Sequence, residues 1–129
     1  MKGFKLSRKL QADFADKLIK ENSEFGTVLA ENLQGALPAI ALDGHPALST
    51  AYMNDCEPVL CFAQQVYGYG KAGDVFLGIS TSGNSKNILY AATTARAIGM
   101  KVIGLTGAKN SKLDQMCDVC IKVPQTENL

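Results

Sequence analysis

At 129 residues the chain has room for one domain and one hydrophobic core. Hydrophobic residues make up 47% of it and charged residues 19%, which excludes a disordered or low-complexity polymer. With 13 basic against 12 acidic residues, no charge excess marks a nucleic-acid or acidic partner.

Met1-Lys2-Gly3-Phe4-Lys5 is not followed by an apolar segment of the signal-peptide kind. No apolar run approaches the ~18 residues of a membrane span. The expectation is a soluble, cytoplasmic protein with no membrane and no nucleic-acid partner. The basic cluster Lys2, Lys5, Arg8 and Lys9 is expected to be a solvated helix start.

Leu10, Phe14 and Leu18 recur at four-residue spacing with Ala15 and Ile19 beside them, which predicts an amphipathic helix over residues 7–21. Gly26 interrupts that pattern, and residues 27–34 fit a helical turn or a loop. Residues 36–42, Ala-Leu-Pro-Ala-Ile-Ala-Leu, form an aperiodic apolar run that predicts a buried parallel strand with Pro38 near its start. His45-Pro46 opens a predicted helix from Ala47 to about Met53. Another runs from Pro58 to Tyr67 and ends in Gly68-Tyr69-Gly70.

From Lys71 the pattern is regular. Residues 74–80 predict a strand and 85–98 a helix, with Ile88, Ala91, Ala92, Ala95 and Ile98 on one face and Gly99 as its C-cap. Residues 101–106 predict the next strand, 111–116 a short helix and 119–123 a last strand. Alternating strands and helices predict an α/β fold, an open three-layer α/β/α sandwich around a mostly parallel sheet.

Four cysteines stand at 56, 61, 117 and 120. Cys117-Asp118-Val119-Cys120 has C-x-x-C spacing but sits at a predicted helix end rather than a helix start, unlike a thioredoxin-type motif. The spacing of Cys56 and Cys61 does not complete a common zinc ribbon. The four are expected to be reduced, buried, small hydrophobic residues.

In open α/β sheets ligands bind beyond the carboxyl ends of the strands. There the sequence reads Ser80-Thr81-Ser82-Gly83-Asn84-Ser85: four hydroxyls and one amide at a predicted helix N-terminus. Free helix amides, the positive end of the helix dipole and hydroxyl donors together suit a phosphate group. Gly83 lets the backbone turn tightly and approach a ligand. An ordinary N-cap would need only one serine. The loop has neither the Lys-Ser/Thr ending of a P-loop nor a G-x-G-x-x-G, so it predicts holding a phosphomonoester rather than transferring one or binding a dinucleotide.

Leu77-Gly78-Ile79-Ser80-Thr81-Ser82-Gly83-Asn84-Ser85, Asn87 and Gly99-Met100-Lys101-Val102-Ile103-Gly104-Leu105-Thr106-Gly107 resemble the SIS (sugar isomerase) family, and within it the bacterial phosphoheptose isomerases. The resemblance runs from about Leu33 through Asn54-Asp55 to Cys117-Asp118. It implies a SIS-type, flavodoxin-like topology and a phosphosugar ligand, a heptose or related sugar. It implies a phosphate site at Ser80, Thr81, Ser82 and Ser85, and Asn54 and Asp55 near the sugar. Homo-oligomers, dimers or tetramers, are implied as well; no cofactor or metal is. The alternative is a non-catalytic SIS module that binds a sugar phosphate as a regulatory ligand or serves as a scaffold.

In that family proton transfer is attributed to a glutamate after a C-G-N-G-G-S-type loop and to a histidine after a Q-E-L-H-like motif. Neither motif occurs in the sequence, so the catalytic residues stay unassigned. The chain reads as a SIS domain trimmed at both ends, with little isomerase turnover by itself and with sheet edge and apolar helix face left uncovered. His45 reads as a turn or cap residue, and Asp55 and Glu57 as solvated or capping carboxylates.

Overall fold

The computed structural model describes residues 8–124; Lys2 and Lys5 of the basic cluster lie outside them. The chain divides into two units, Met1–Ile40 and Ala41–Leu129.

In the first unit, helix α1 (Ala12–Glu21) is followed by α2 (Ser23–Asn32). Asn22 joins them. Its amide ends α1 on the Leu18 carbonyl, and its Oδ1 accepts the Phe25 N–H at 2.8 Å to cap α2. Gly26 does not interrupt a helix as the sequence suggested; it lies buried inside α2. A Cβ there would collide with the Leu18 carbonyl and come within 2.6 Å of the Ile19 Cα. Close approach of the two backbones therefore outweighs the ~1 kcal/mol that a helix-interior glycine costs. Gln34 forms an isolated antiparallel bridge with Lys9. The predicted stripe exists on α1, yet Phe14 and Ile19 remain exposed.

Residues 36–42 form no strand, contrary to the pattern, and Leu37 is 81% exposed. An apolar run becomes a strand only where a neighbour supplies a hydrogen-bond ladder, and Pro38 has no N–H to offer one.

The second unit begins with α3 (Pro46–Asp55), a 3-10 turn (Pro58–Leu60) and α4 (Cys61–Tyr69). Strand β1 (Val75–Ser80), α5 (Lys86–Ile98), β2 (Lys101–Gly107), α6 (Lys112–Met116) and β3 (Val119–Val123) follow. The three strands are parallel in the order β1-β2-β3, with Ser80 beside Thr106 and Thr106 beside Lys122. Gly99 closes α5 at φ 95°, in the left-handed conformation predicted for it.

The core lies on one face of the sheet. Ala91, Ala92 and Ala95 of α5, Val102 of β2 and Leu113 of α6 are completely buried, with Phe76 and Val66 against them. Small residues let the layers approach: a Cβ on Gly78 would sit 3.0 Å from Ile88, and one on Gly104 2.5 Å from the Cys117 sulfur. The opposite face carries exposed apolar side chains. Val75, Leu77 and Ile79 of β1 and Val119, Ile121 and Val123 of β3 are all more than half exposed there. The fold is α/β, and its exposed apolar side chains include this sheet face as well as helix residues such as Phe25 and Val28.

Candidate functional site

The register that aligns Ser80 with Thr106 brings the β1–α5 loop and the β2–α6 loop side by side at the carboxyl end of the sheet. Gly107 N–H donates to the Thr81 carbonyl at 3.0 Å, and Leu113 N–H to the Gly83 carbonyl at 3.0 Å. Asn84 ties the same loops through its side chain, Oδ1 accepting the Lys112 N–H at 3.0 Å.

Within the first loop the hydroxyls divide into two kinds. Ser80 is buried, its Oγ accepting the Gly83 N–H at 3.1 Å and donating to the Ser85 Oγ at 3.0 Å. That hydroxyl sets the shape of the loop. Thr81 and Ser82 are exposed, and Ser82 Oγ accepts the Asn84 N–H at 3.1 Å. Gly83 is buried at φ 63°, against Ser111. Ser85 is the N-cap of α5 but makes no side-chain cap bond. Among the described residues, the first-turn amides of Lys86 and Asn87 have no acceptor in the chain, as a helix start dictates.

Between the loops lies a cavity of about 420 Å³. Thr81, Ser82 and Asn84 line one side, and Gly107, Lys109 and Asn110 the other. That volume falls in the usual range of small-molecule sites. Sequence reasoning missed the second wall. Its signal was positional: residues 107–111 follow the end of a strand adjacent to β1, where a parallel sheet forms its crevice.

The second wall is anchored by Asp114. Ser111 and Asp114 form a capping box at the start of α6, with Ser111 N–H donating to Oδ2 at 2.9 Å. The Cys120 thiol donates to Asp114 Oδ1 at 2.9 Å, and Lys122 Nζ lies 2.8 Å from Oδ2. These two, the thiol first, hold the Asp114 carboxyl well below the usual carboxylate range. Lys122 also donates to Asn110 Oδ1 at 2.8 Å.

The cysteines differ from expectation. All four are free, but Cys56 is exposed, Cys61 is buried, and Cys117 and Cys120 are half-buried. Burial, followed by the charge of Cys120, pushes the Cys117 thiol up to about 11. Among the described residues no group of His, Cys, Asp and Glu is placed to hold a metal ion, and no helix is long and apolar enough to cross a membrane.

Asn54 and Asp55 end α3, both exposed, and neither lines the cavity. His45 precedes α3 at its N-cap position without a cap bond, its ring 6.0 Å from that of Tyr69.

A family model described as SIS domain matches residues 23–107. Among curated proteins, a phosphoheptose isomerase of Rhodospirillum rubrum is 46% identical over 91 residues, 70% of this chain and 48% of that protein. A phosphoheptose isomerase of Aneurinibacillus thermoaerophilus is 44% identical over 91 residues, 70% of this chain and 46% of that one. A solved phosphoheptose isomerase structure from Francisella tularensis superposes with a TM-score of 0.68 at 41% identity, covering 74% of this chain and 51% of that one. The chain spans about half the length of the curated relatives it matches. It is homologous to phosphoheptose isomerases, and with the family model matched over most of its length, the chain belongs to the SIS domain family.

Proposed function

We propose that this chain is the sugar-phosphate-binding part of an aldose–ketose isomerase acting on a phosphorylated heptose or a related sugar. One observation carries this reading: Thr81 and Ser82, whose hydroxyls are exposed, line one cavity at the carboxyl end of a parallel sheet, in the loop that leads into the unpaired first-turn amides of α5. In this reading Thr81, Ser82, Asn84, Ser85 and the α5 amides hold the phosphoryl oxygens, while Ser80 and Gly83 keep the loop in shape. Asn54 and Asp55 contact the sugar; support for that comes from their match to the family's Asn-Asp pair.

Isomerisation moves a proton between adjacent carbons and needs a positioned base and acid. No residue of this chain is assigned that step, and the 129 residues alone turn over little substrate. The protein is cytoplasmic and a homodimer or homotetramer. The exposed apolar sheet face and the apolar residues of α1 and α2 favour self-association, which would bury them.

The test is thermal unfolding with sedoheptulose 7-phosphate, the dephosphorylated sugar, or inorganic phosphate. Ligand at 100 times its Kd adds about 2.7 kcal/mol, a rise of several degrees in Tm. The phosphosugar should raise Tm well above the effect of the free sugar. Equal shifts for sugar and phosphosugar, or none, would remove the phosphate reading.

A further inference from the structure

The loop from Ser80 to Ser85 offers hydroxyls, an amide and backbone N–H groups, but no cationic side chain. A phosphomonoester brings nearly two negative charges at neutral pH. Neutral donors alone leave much of that charge uncompensated, so a cation elsewhere on the cavity wall would alter what the site accepts.

Lys109 is the one charged side chain lining the cavity, and it stands on the wall facing the serine/threonine loop. It is exposed, and among the described residues it takes part in no salt bridge. The nearby acidic group, Asp114, is already engaged by Lys122, Cys120 and Ser111. Among the described residues the Lys109 charge is therefore not neutralised. Its backbone is also held on both sides. Gly107 is bonded to Thr81, Asn110 receives the Lys122 ammonium, and Ser111 is locked into the capping box. A flexible side chain on an anchored loop can close over a ligand without the wall having to form first.

We propose that Lys109 is the cationic member of this phosphate cradle, a specificity residue whose ammonium covers the side of the phosphoryl group away from Ser82 and the α5 amides. This rests on the sugar-phosphate reading and adds a charge requirement. The site selects doubly ionised phosphomonoesters, and its occupancy falls with ionic strength because part of the attraction is exposed and screened.

The experiment titrates the full chain with sedoheptulose 7-phosphate by calorimetry, at low and at high salt. Lys109→Gln, Lys109→Arg and, as a net-charge control on α1, Lys20→Gln run in parallel. Lys109→Gln should bind about tenfold more weakly and with a flatter salt dependence, and it should melt like the parent without ligand. Lys109→Arg should return affinity to within roughly threefold, since charge is kept though its geometry differs. Lys20→Gln should bind as the parent does. Parental affinity and salt slope in Lys109→Gln would overturn the proposal while leaving the phosphate site intact. A parent chain that melts cooperatively but binds the phosphosugar no better than the free sugar would overturn both.

Discussion

Ser111 Oγ occupies the space that a Cβ on Gly83 would need. The contact joins the N-cap of α6 to the turn of the serine/threonine loop, and Leu113 N–H bonded to the Gly83 carbonyl fixes it a second time. The loop's conformation is thus held by α6 as well as by its own sequence.

Gly83 and Gly99 both have positive φ, at 63° and 95°, but differ in surroundings. A Cβ on Gly99 would meet its nearest neighbour, the Ala72 Cβ, at an ordinary 3.5 Å. Gly99→Ala should therefore cost about 1–2 kcal/mol of left-handed backbone strain. Gly83→Ala carries that strain together with a collision against buried Ser111, about 2–5 kcal/mol in all. Urea unfolding of the two variants measures the difference; equal losses would mean that the Gly83–Ser111 packing is unimportant.

Ser80 and Ser82 stand two residues apart and should fail in different ways. Ser80→Ala removes a buried hydroxyl shared by Gly83 and Ser85, and should lower stability by about 1–2 kcal/mol. Ser82→Ala alters an exposed hydroxyl, so stability should move by no more than about 0.5 kcal/mol while phosphosugar affinity falls. Urea midpoints paired with calorimetric titration separate the two effects. Unchanged affinity in Ser82→Ala would remove Ser82 from the cradle.

The elements that sequence makes legible are those specified by local pattern. Strands β1 to β3 are short β-branched runs, and α5 carries its apolar face and its Gly99 cap within one stretch of chain. The hydroxyl-rich loop is legible for the same reason. The remainder depends on partners distant in sequence. Gly26 looks like a helix breaker until the Leu18 carbonyl is found against it. Residues 36–42 look like a strand, but among the described residues no strand pairs with them. Lys109 has no recognisable motif and gains meaning only because β2 lies beside β1.

Asp114 predicts an acid-side dependence. Its carboxyl is held below the usual carboxylate range, by the Cys120 thiol and then Lys122, so the unfolded chain takes up that proton first as pH falls. Its stabilising contribution is complete above the unfolded carboxylate pKa of about 3.9 and is lost as pH drops below it. Asp114→Asn should be less stable than the parent at neutral pH, and the two stability curves should converge towards low pH. Asp74 and Asp118 are depressed too, by Lys71 and by the Val102 amide, but both remain in each curve. Parallel curves from pH 6 to strong acid, read from urea midpoints, would show that the Asp114 contacts do not stabilise the fold.

Cys117 predicts the opposite flank. Burial and the charge of Cys120 raise its thiol from 9.0 to about 11, so the folded state keeps its proton after the unfolded chain has lost it. The stability tied to that proton is present below pH 9.0 and is lost as pH rises towards about 11. Cys117→Ala should therefore show a shallower alkaline decline than the parent. The same protonation slows thiolate chemistry. In a timed iodoacetamide reaction at pH 8, followed by peptide mass spectrometry, exposed Cys56 should label first. Cys117 should label slowly, and Cys61, only 3% exposed, should wait for unfolding. Labelling of Cys117 at the rate of Cys56 would show that its thiol is neither shielded nor raised.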